Sequence, residues 1–117
     1  MDPLKIKTKH GPEFKIQGEI ISYLEHKRWY VKRMAASVYL TGVPDLFVSH
    51  KIFGPRFVEV KLPGMKGSKF TPAQLVEFPL ICSHGFGVWV LTGATSSEYH
   101  KLKEPPNWTR YLKIMRP

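Results

Sequence analysis

Two short apolar runs, Leu46-Phe47-Val48 and Phe57-Val58-Glu59-Val60-Lys61, flank the turn-forming stretch His50-Lys51-Ile52-Phe53-Gly54-Pro55. Runs of this length bounded by Gly and Pro predict an antiparallel hairpin. This pairing constrains the fold more than any other feature, because it brings together residues fourteen apart in the chain: Asp45, where the first run starts, and Glu59, near the end of the second. Side chains alternate along an extended run, so Phe57, Glu59 and Lys61 should face one side and Val58 and Val60 the other.

The segments around the hairpin fill in an α/β pattern. Gly11-Pro12 reads as a helix start with proline in the first turn, and Ile16, Ile20, Tyr23 and Leu24 recur at helical spacing, which predicts a helix over about 12–27. Trp29-Tyr30-Val31-Lys32-Arg33-Met34 is rich in strand formers, and 37–44 reads as a loop. Met65-Lys66-Gly67-Ser68-Lys69 is a basic loop. Thr71-Pro72-Ala73-Gln74 then opens a second helix running to about His84, with Pro79 expected to kink it or displace a hydrogen bond and Gly85 to stop it. Phe86-Gly87-Val88-Trp89-Val90-Leu91 has the continuous apolar character of a central strand covered on both sides. A short helix is expected near 95–103. Beyond Pro105-Pro106, the tail carries Trp108, Tyr111, Leu112 and Ile114, too many apolar side chains to be left in solvent.

At 117 residues and 43% hydrophobic composition, the chain has room for one compact domain with a mixed sheet flanked by helices. Its 18 Lys and Arg against 9 Asp and Glu give a formal charge of +9, which favours a polyanionic partner, nucleic acid first among them. Charge by itself does not separate that role from simple solubility. The single cysteine, Cys82, excludes an intramolecular disulfide and a cysteine zinc cage. With no leader-like apolar stretch at the N-terminus and no run long enough to span a bilayer, a soluble intracellular protein is expected, with no membrane partner.

Asp45 and Glu59 on adjoining strands can converge on one hard divalent cation, with the Val60 carbonyl as a third oxygen ligand. Such a cation polarises a phosphodiester and acidifies water, and Lys61, on the face of Glu59, can orient that water or stabilise developing charge. Each residue taken singly has a plainer reading: an Asp after Pro suits a turn, and a strand Glu-x-Lys suits a solvated ion pair. The conjunction favours a site, because the carboxylates stand where apolar strands start and finish. Gln74 can donate its amide to a phosphate oxygen or a bound water, or be an ordinary helix residue. Lys66, Lys69, Lys32 and Arg33 are candidates for contacts to a DNA backbone, or solvated surface cations. His50, His84 and His100 lack a matched ligand spacing for zinc.

On Gly42-Val43-Pro44-Asp45-Leu46-Phe47, Phe57-Val58-Glu59-Val60-Lys61-Leu62-Pro63 and Thr71-Pro72-Ala73-Gln74 followed by the strand ending at Leu91, the chain resembles the PD-(D/E)xK nuclease superfamily, and within it the VRR-Nuc branch, over about residues 13–95. The resemblance implies a restriction-endonuclease-like core and an endonuclease dependent on Mg²⁺ or Mn²⁺, with Asp45 and Glu59 as ligands, Lys61 catalytic and Gln74 supporting them. It also implies an acidic residue on the first helix. Glu13 suits that place, because Glu13-x-x-Ile16-Gln17-x-x-Ile20 resembles the family's opening pattern; Glu19 is the alternative.

The organisation expected is a basic arm over 1–11, a nuclease-like domain over 12–104 and an apolar, basic tail over 105–117. Small stand-alone members of the branch look like homodimers acting on branched DNA such as four-way junctions, and here the tail can supply a dimer contact or pack on its own domain. Flap or fork cleavage by the same site, and a DNA-binding module without turnover, are the competing expectations. No recognisable RNA-binding motif supports an RNA partner.

Overall fold

The computed structural model describes residues 11–34, 41–65 and 69–112. Residues 1–10 of the expected arm over 1–11, together with Lys66 and Ile114, lie outside the described residues. The first helix, α1, spans Pro12–His26, with Gly11 as its N-cap and Glu13 in its first turn, where a carboxylate complements the helix dipole. It buries Ile20 and Leu24. Its end is a Schellman motif: the Arg28 N–H donates to the Glu25 carbonyl and the Trp29 N–H to the Leu24 carbonyl at 2.9 Å. Arg28 occupies the left-handed position at φ 70°, a place usually held by glycine.

The sheet follows the order β1–β2–β3–β4, with β1 at Tyr30–Arg33, β2 at Leu46–His50, β3 at Gly54–Val60 and β4 at Val88–Leu91. The expected hairpin is β2–β3, antiparallel, with Leu46 opposite Val58 and His50 opposite Gly54. β1 pairs antiparallel with the other edge of β2, while β4 runs parallel to β3. The parallel crossover is made through α2, Pro72–Ser83. That helix runs through Pro79, whose missing N–H leaves the Leu75 carbonyl without its i+4 donor. It ends in the same motif as α1, here with Gly85 at φ 95°. A short α3, Ser96–His100, passes into a 3₁₀ turn over Lys101–Lys103.

Alternation sorts the core into two layers. Val58, Val60, Trp89 and Leu91 face α1, together with Leu46, Val48 and Leu102. Phe57, Val88 and Val90 face α2 and meet Phe70, Phe78 and Trp108. The expected facing of β3 therefore holds.

One expectation is corrected. β4 is not central: it is the last strand of the sheet, although all four of its residues are buried. Both faces are covered, and its outer edge is capped by a side chain. Asn107 accepts from the Val90 N–H at 2.7 Å through Oδ1 and donates to the Val90 carbonyl at 3.1 Å through Nδ2. A buried amide thus takes the place of a fifth strand at the position where an unpaired edge would be most costly. Trp108, next in sequence, packs edge-on against Phe70 and Phe78. Through Leu112, then, the tail belongs to this domain's own core. No helix among the described residues is long and apolar enough to cross a membrane.

Candidate active site

Asp45 stands one residue before β2, just past the last ladder pair of the hairpin, and its carbonyl, its N–H and one carboxylate oxygen are each fixed by a different neighbour. Its carbonyl accepts from the Met34 N–H at 2.8 Å. Its own N–H donates to Glu59 Oε1 at 3.2 Å, and its Oδ2 accepts from the Val60 N–H at 2.8 Å. In an extended strand a residue's N–H and carbonyl point to the same side, so Val60 presents both toward Asp45. The approach of this loop to α2 requires Gly42. At φ 84°, a Cβ on Gly42 would lie 2.6 Å from the Ala73 carbonyl oxygen, so only glycine lets the loop meet the first turn of the helix.

Glu59, Lys61 and Gln74 are all buried, at 3%, 5% and 8% exposure, unusual values for side chains of this polarity. Burial is possible because their hydrogen bonds close on one another. Thr71 and Gln74 form a capping box: the Thr71 hydroxyl accepts from the Gln74 N–H at 3.1 Å, and Gln74 Oε1 accepts from the Thr71 N–H at 3.0 Å. With its carbonyl oxygen so engaged, Gln74 turns its amide nitrogen to Glu59 and donates to Oε2 at 2.8 Å. Lys61 Nζ pairs with the same Oε2 at 3.2 Å and donates to the Lys69 carbonyl at 2.7 Å and to Gln74 Oε1 at 3.3 Å. Its three protons have three acceptors. Among the described residues, no buried side-chain nitrogen or oxygen lacks a partner.

The electrostatics are those of two carboxylates enclosed with one ammonium. Burial pushes the Glu59 carboxyl up to about 8, and the neighbouring Asp45 charge adds to the rise against the opposing pull of Lys61. Burial likewise raises Asp45 to about 6; the Val60 N–H and Lys61 oppose this, while Glu13 reinforces it and Arg33 counteracts it. With both carboxyls ionised the trio carries a surplus negative charge, and hard carboxylate oxygens in that state suit a small divalent cation. Asp45, Glu59 and the Val60 carbonyl are the oxygen donors available to it. No third acid joins them closely: among the described residues no three of His, Cys, Asp and Glu converge as a ligand group.

Of the residues expected at the site, the structure brings together Asp45, Glu59, Lys61 and Gln74. Glu13 is near enough for its charge to act on Asp45, whereas Glu19 acts instead on Tyr99, so of the two helix acids it is Glu13 that faces this end of the sheet. Lys32 and Arg33 are neighbours on β1. Strand alternation sends them to opposite faces, Lys32 over the ring of Tyr30 and Arg33 over the ring of Phe14 with its charge toward Asp45. Lys69 contributes its backbone carbonyl to Lys61 and leaves its side chain exposed. Sequence reasoning missed the reciprocal half of the capping box and the contact at Gly42. The Thr-x-x-Gln spacing was a readable signal for the first; the second depends on Ala73, thirty-one residues away.

No protein-family model matches the chain, and no curated protein matches it. Among solved structures, the chain is similar to one described as a VRR_NUC domain, at a TM-score of 0.63 and 24% identity, covering 79% of this chain and 95% of that one. A four-stranded mixed sheet with flanking helices is thus a fold the two share.

Proposed function

We propose that this chain, built on the fold of a VRR_NUC domain, is a divalent-cation-dependent endonuclease that cuts branched DNA, four-way junctions foremost. The observation that carries the reading is the closed cluster of Asp45, Glu59, Lys61 and Gln74 at one end of the hairpin, with both carboxyls held above their ordinary range. Perturbed carboxyls beside a buried ammonium are a costly arrangement for structure alone and a useful one for phosphoryl chemistry. Mg²⁺ or Mn²⁺ is the cation such oxygens favour, and it would supply the charge that polarises the scissile phosphate and makes water a better nucleophile.

The chain's own residues divide the remaining work. Lys61, held by the Lys69 carbonyl and Gln74 Oε1, keeps its ammonium aimed and stabilises charge developing on the phosphate oxygens. Gln74 fixes Glu59 through the capping box, so the carboxylate is oriented before any ligand arrives. Asp45 is held between β1 and β3. The net charge of +9 supplies backbone affinity, to which Arg33, Lys69, Lys32 and Lys66 contribute. Symmetric cutting of a four-way junction calls for two sites, and hence for a homodimer. Because Trp108 is committed to its own core, the exposed apolar positions Val76, Leu80 and Phe86 are a better surface for a second copy than the tail through Leu112.

A second reading, a DNA-binding module without turnover, is favoured by one observation: the described residues gather two acids where a third would strengthen cation binding. Incubating end-labelled four-way, flap, fork and linear duplex DNA with Mg²⁺ or Mn²⁺ separates the readings. Paired nicks in the four-way junction are expected. Binding to all four without a nick would overturn the enzyme reading, and cutting confined to flaps or forks would overturn the junction preference.

A further inference from the structure

At the other end of the hairpin, around the turn joining His50 to Gly54, lies a cavity of about 390 Å³ that the proposed reaction does not use. Five steps of extended strand, Asp45 to His50, place it roughly 16 Å from the carboxylates. Three separate segments build it: the C-terminal end of α1 with Trp29, the hairpin turn, and α3 with the 3₁₀ turn that follows. Its walls are flat rings. Tyr23 and Tyr99 stack face to face at 3.8 Å with only 2° between their planes. Opposite, Trp29 lies 6.0 Å from Phe53 and nearly parallel to it, and His50 tilts against both. Two ammoniums lie over these rings at the exposed rim, Lys27 over Tyr23 at 5.8 Å and Lys103 over Phe53 at 5.5 Å.

We propose that this cavity is a single-strand subsite that receives an unpaired nucleotide of a DNA strand, its base against the aromatic walls and its phosphates at Lys27 and Lys103. The volume falls within the range of small-ligand sites. Aromatic side chains lining a cavity give a base flat apolar surface to pack against, and every base has a π-face, so capture needs no sequence readout. Cations at the rim with aromatics inside match the order of a nucleotide, charged outside and flat within. Four acidic residues stand on the same segments: Glu19, whose charge reaches Tyr99, one turn before Tyr23; Glu25, two residues before Lys27; Glu98, paired with Lys101 at 2.8 Å; and the exposed Glu104 beside Lys103. The inference shares with the proposed function the premise of a DNA partner, but not that of cleavage. A branched substrate with local unpairing offers such a nucleotide, and a perfect duplex does not.

The test is fluorescence anisotropy in EDTA, where no cleavage occurs, with a labelled oligothymidine and a blunt duplex of equal length. Lys103→Glu and Phe53→Ala should each weaken oligothymidine binding at least tenfold while changing duplex binding less than twofold. Lys15→Glu, the same charge reversal on an exposed residue at the other end of α1, should change oligothymidine binding less than twofold. Free thymidine monophosphate should compete only at concentrations at least a hundredfold above those of the oligonucleotide. Equal losses for duplex and single strand, or a loss with Lys15→Glu matching that of Lys103→Glu, would reduce the effect to general charge and overturn the subsite. Competition by the mononucleotide at oligonucleotide concentrations would overturn its assignment to a strand. Because Lys103 is exposed, its reversal tests the subsite even if Phe53→Ala fails to fold.

Discussion

At the Leu46/Val58 end of the hairpin, the buried polar groups are answered by other groups of the protein; at the His50/Gly54 end, aromatic rings line open space and the cations stay at the rim. The first end is stiff because Thr71, Gln74, Glu59 and Lys61 share one hydrogen-bond circuit, in which moving one member unsatisfies another. The second end offers shape and stacking surface without a fixed hydrogen-bond demand. Chemistry needs the first kind of construction, since a reacting group must be held before the substrate arrives. Capture of a flexible strand suits the second. On the proposed reading, a single hairpin separates the two tasks by its length.

The contrast breaks most sharply at Lys61. Lys61→Ala should lower the cleavage rate by roughly a thousandfold, the scale of losing a preorganised charge at the reacting centre. Oligothymidine binding in EDTA should be unchanged. Single-turnover rates beside anisotropy on the same preparation check this, and a parallel loss in both would mean that the two ends do not work separately.

Gly42 tests whether stiffness at the carboxylate end depends on backbone packing as well as on hydrogen bonds. Gly42→Ala drives a methyl into the Ala73 carbonyl and imposes a positive φ on a residue that resists it. A loss of about 3 kcal/mol in urea unfolding is expected, together with weaker cleavage, because Asp45 stands three residues along the same loop. Stability within 1 kcal/mol of the parent would show that the loop can yield without cost.

Legibility also differs between the two ends. The hairpin with Asp45, Glu59 and Lys61 was readable because alternation fixes facing, and because carboxylates at the limits of apolar strands have few structural uses; Gln74, on α2, stood out only through the family resemblance. The aromatic cavity was not, since Tyr23, Phe53 and Tyr99 come from three segments and each alone reads as core. Similarly, Gly85 announced the end of α2, while Arg28 ends α1 in the same geometry without a glycine to mark it. β4 looked central because burial on both faces is visible in a sequence and the number of paired edges is not. Its cap, Asn107, is a lone polar residue after two prolines, with a partner seventeen residues earlier.

A smaller effect sharpens the role of Gln74. Gln74→Ala removes the donor to Glu59, one acceptor of Lys61 and one half of the capping box, while Asp45 keeps its hydrogen bonds and Lys61 its bond to the Lys69 carbonyl. Cleavage should fall about 10–100-fold, the range for a residue that orients a ligand rather than serving as one. Raising the Mg²⁺ concentration should recover part of the loss, whereas for Lys61→Ala it should recover none. If both variants responded alike to Mg²⁺, Gln74 would have to act on the reacting atoms directly.

The gentlest probe is pH, read on stability rather than turnover. Asp45 titrates at 3.8 in ordinary surroundings and about 6 here, so without a divalent cation the folded protein binds its proton more tightly than the unfolded chain does. Between those two values the folded state carries the extra proton, and linkage makes stability fall as pH rises. The preference for the protonated carboxyl is fully present below pH 3.8 and gone above about 6. Relative to Asp45→Asn, which cannot ionise there, the parent should therefore lose on the order of 2 kcal/mol across that interval in EDTA. Mg²⁺ should cancel most of the loss near neutral pH, because a cation bound to Asp45 favours the ionised form. Tyr99→Phe, at the aromatic end, should leave the parent's pH slope as it is. The comparison fails if Asp45→Asn retains the parent's slope, for then the carboxylate end is not where the folded protein holds the additional proton.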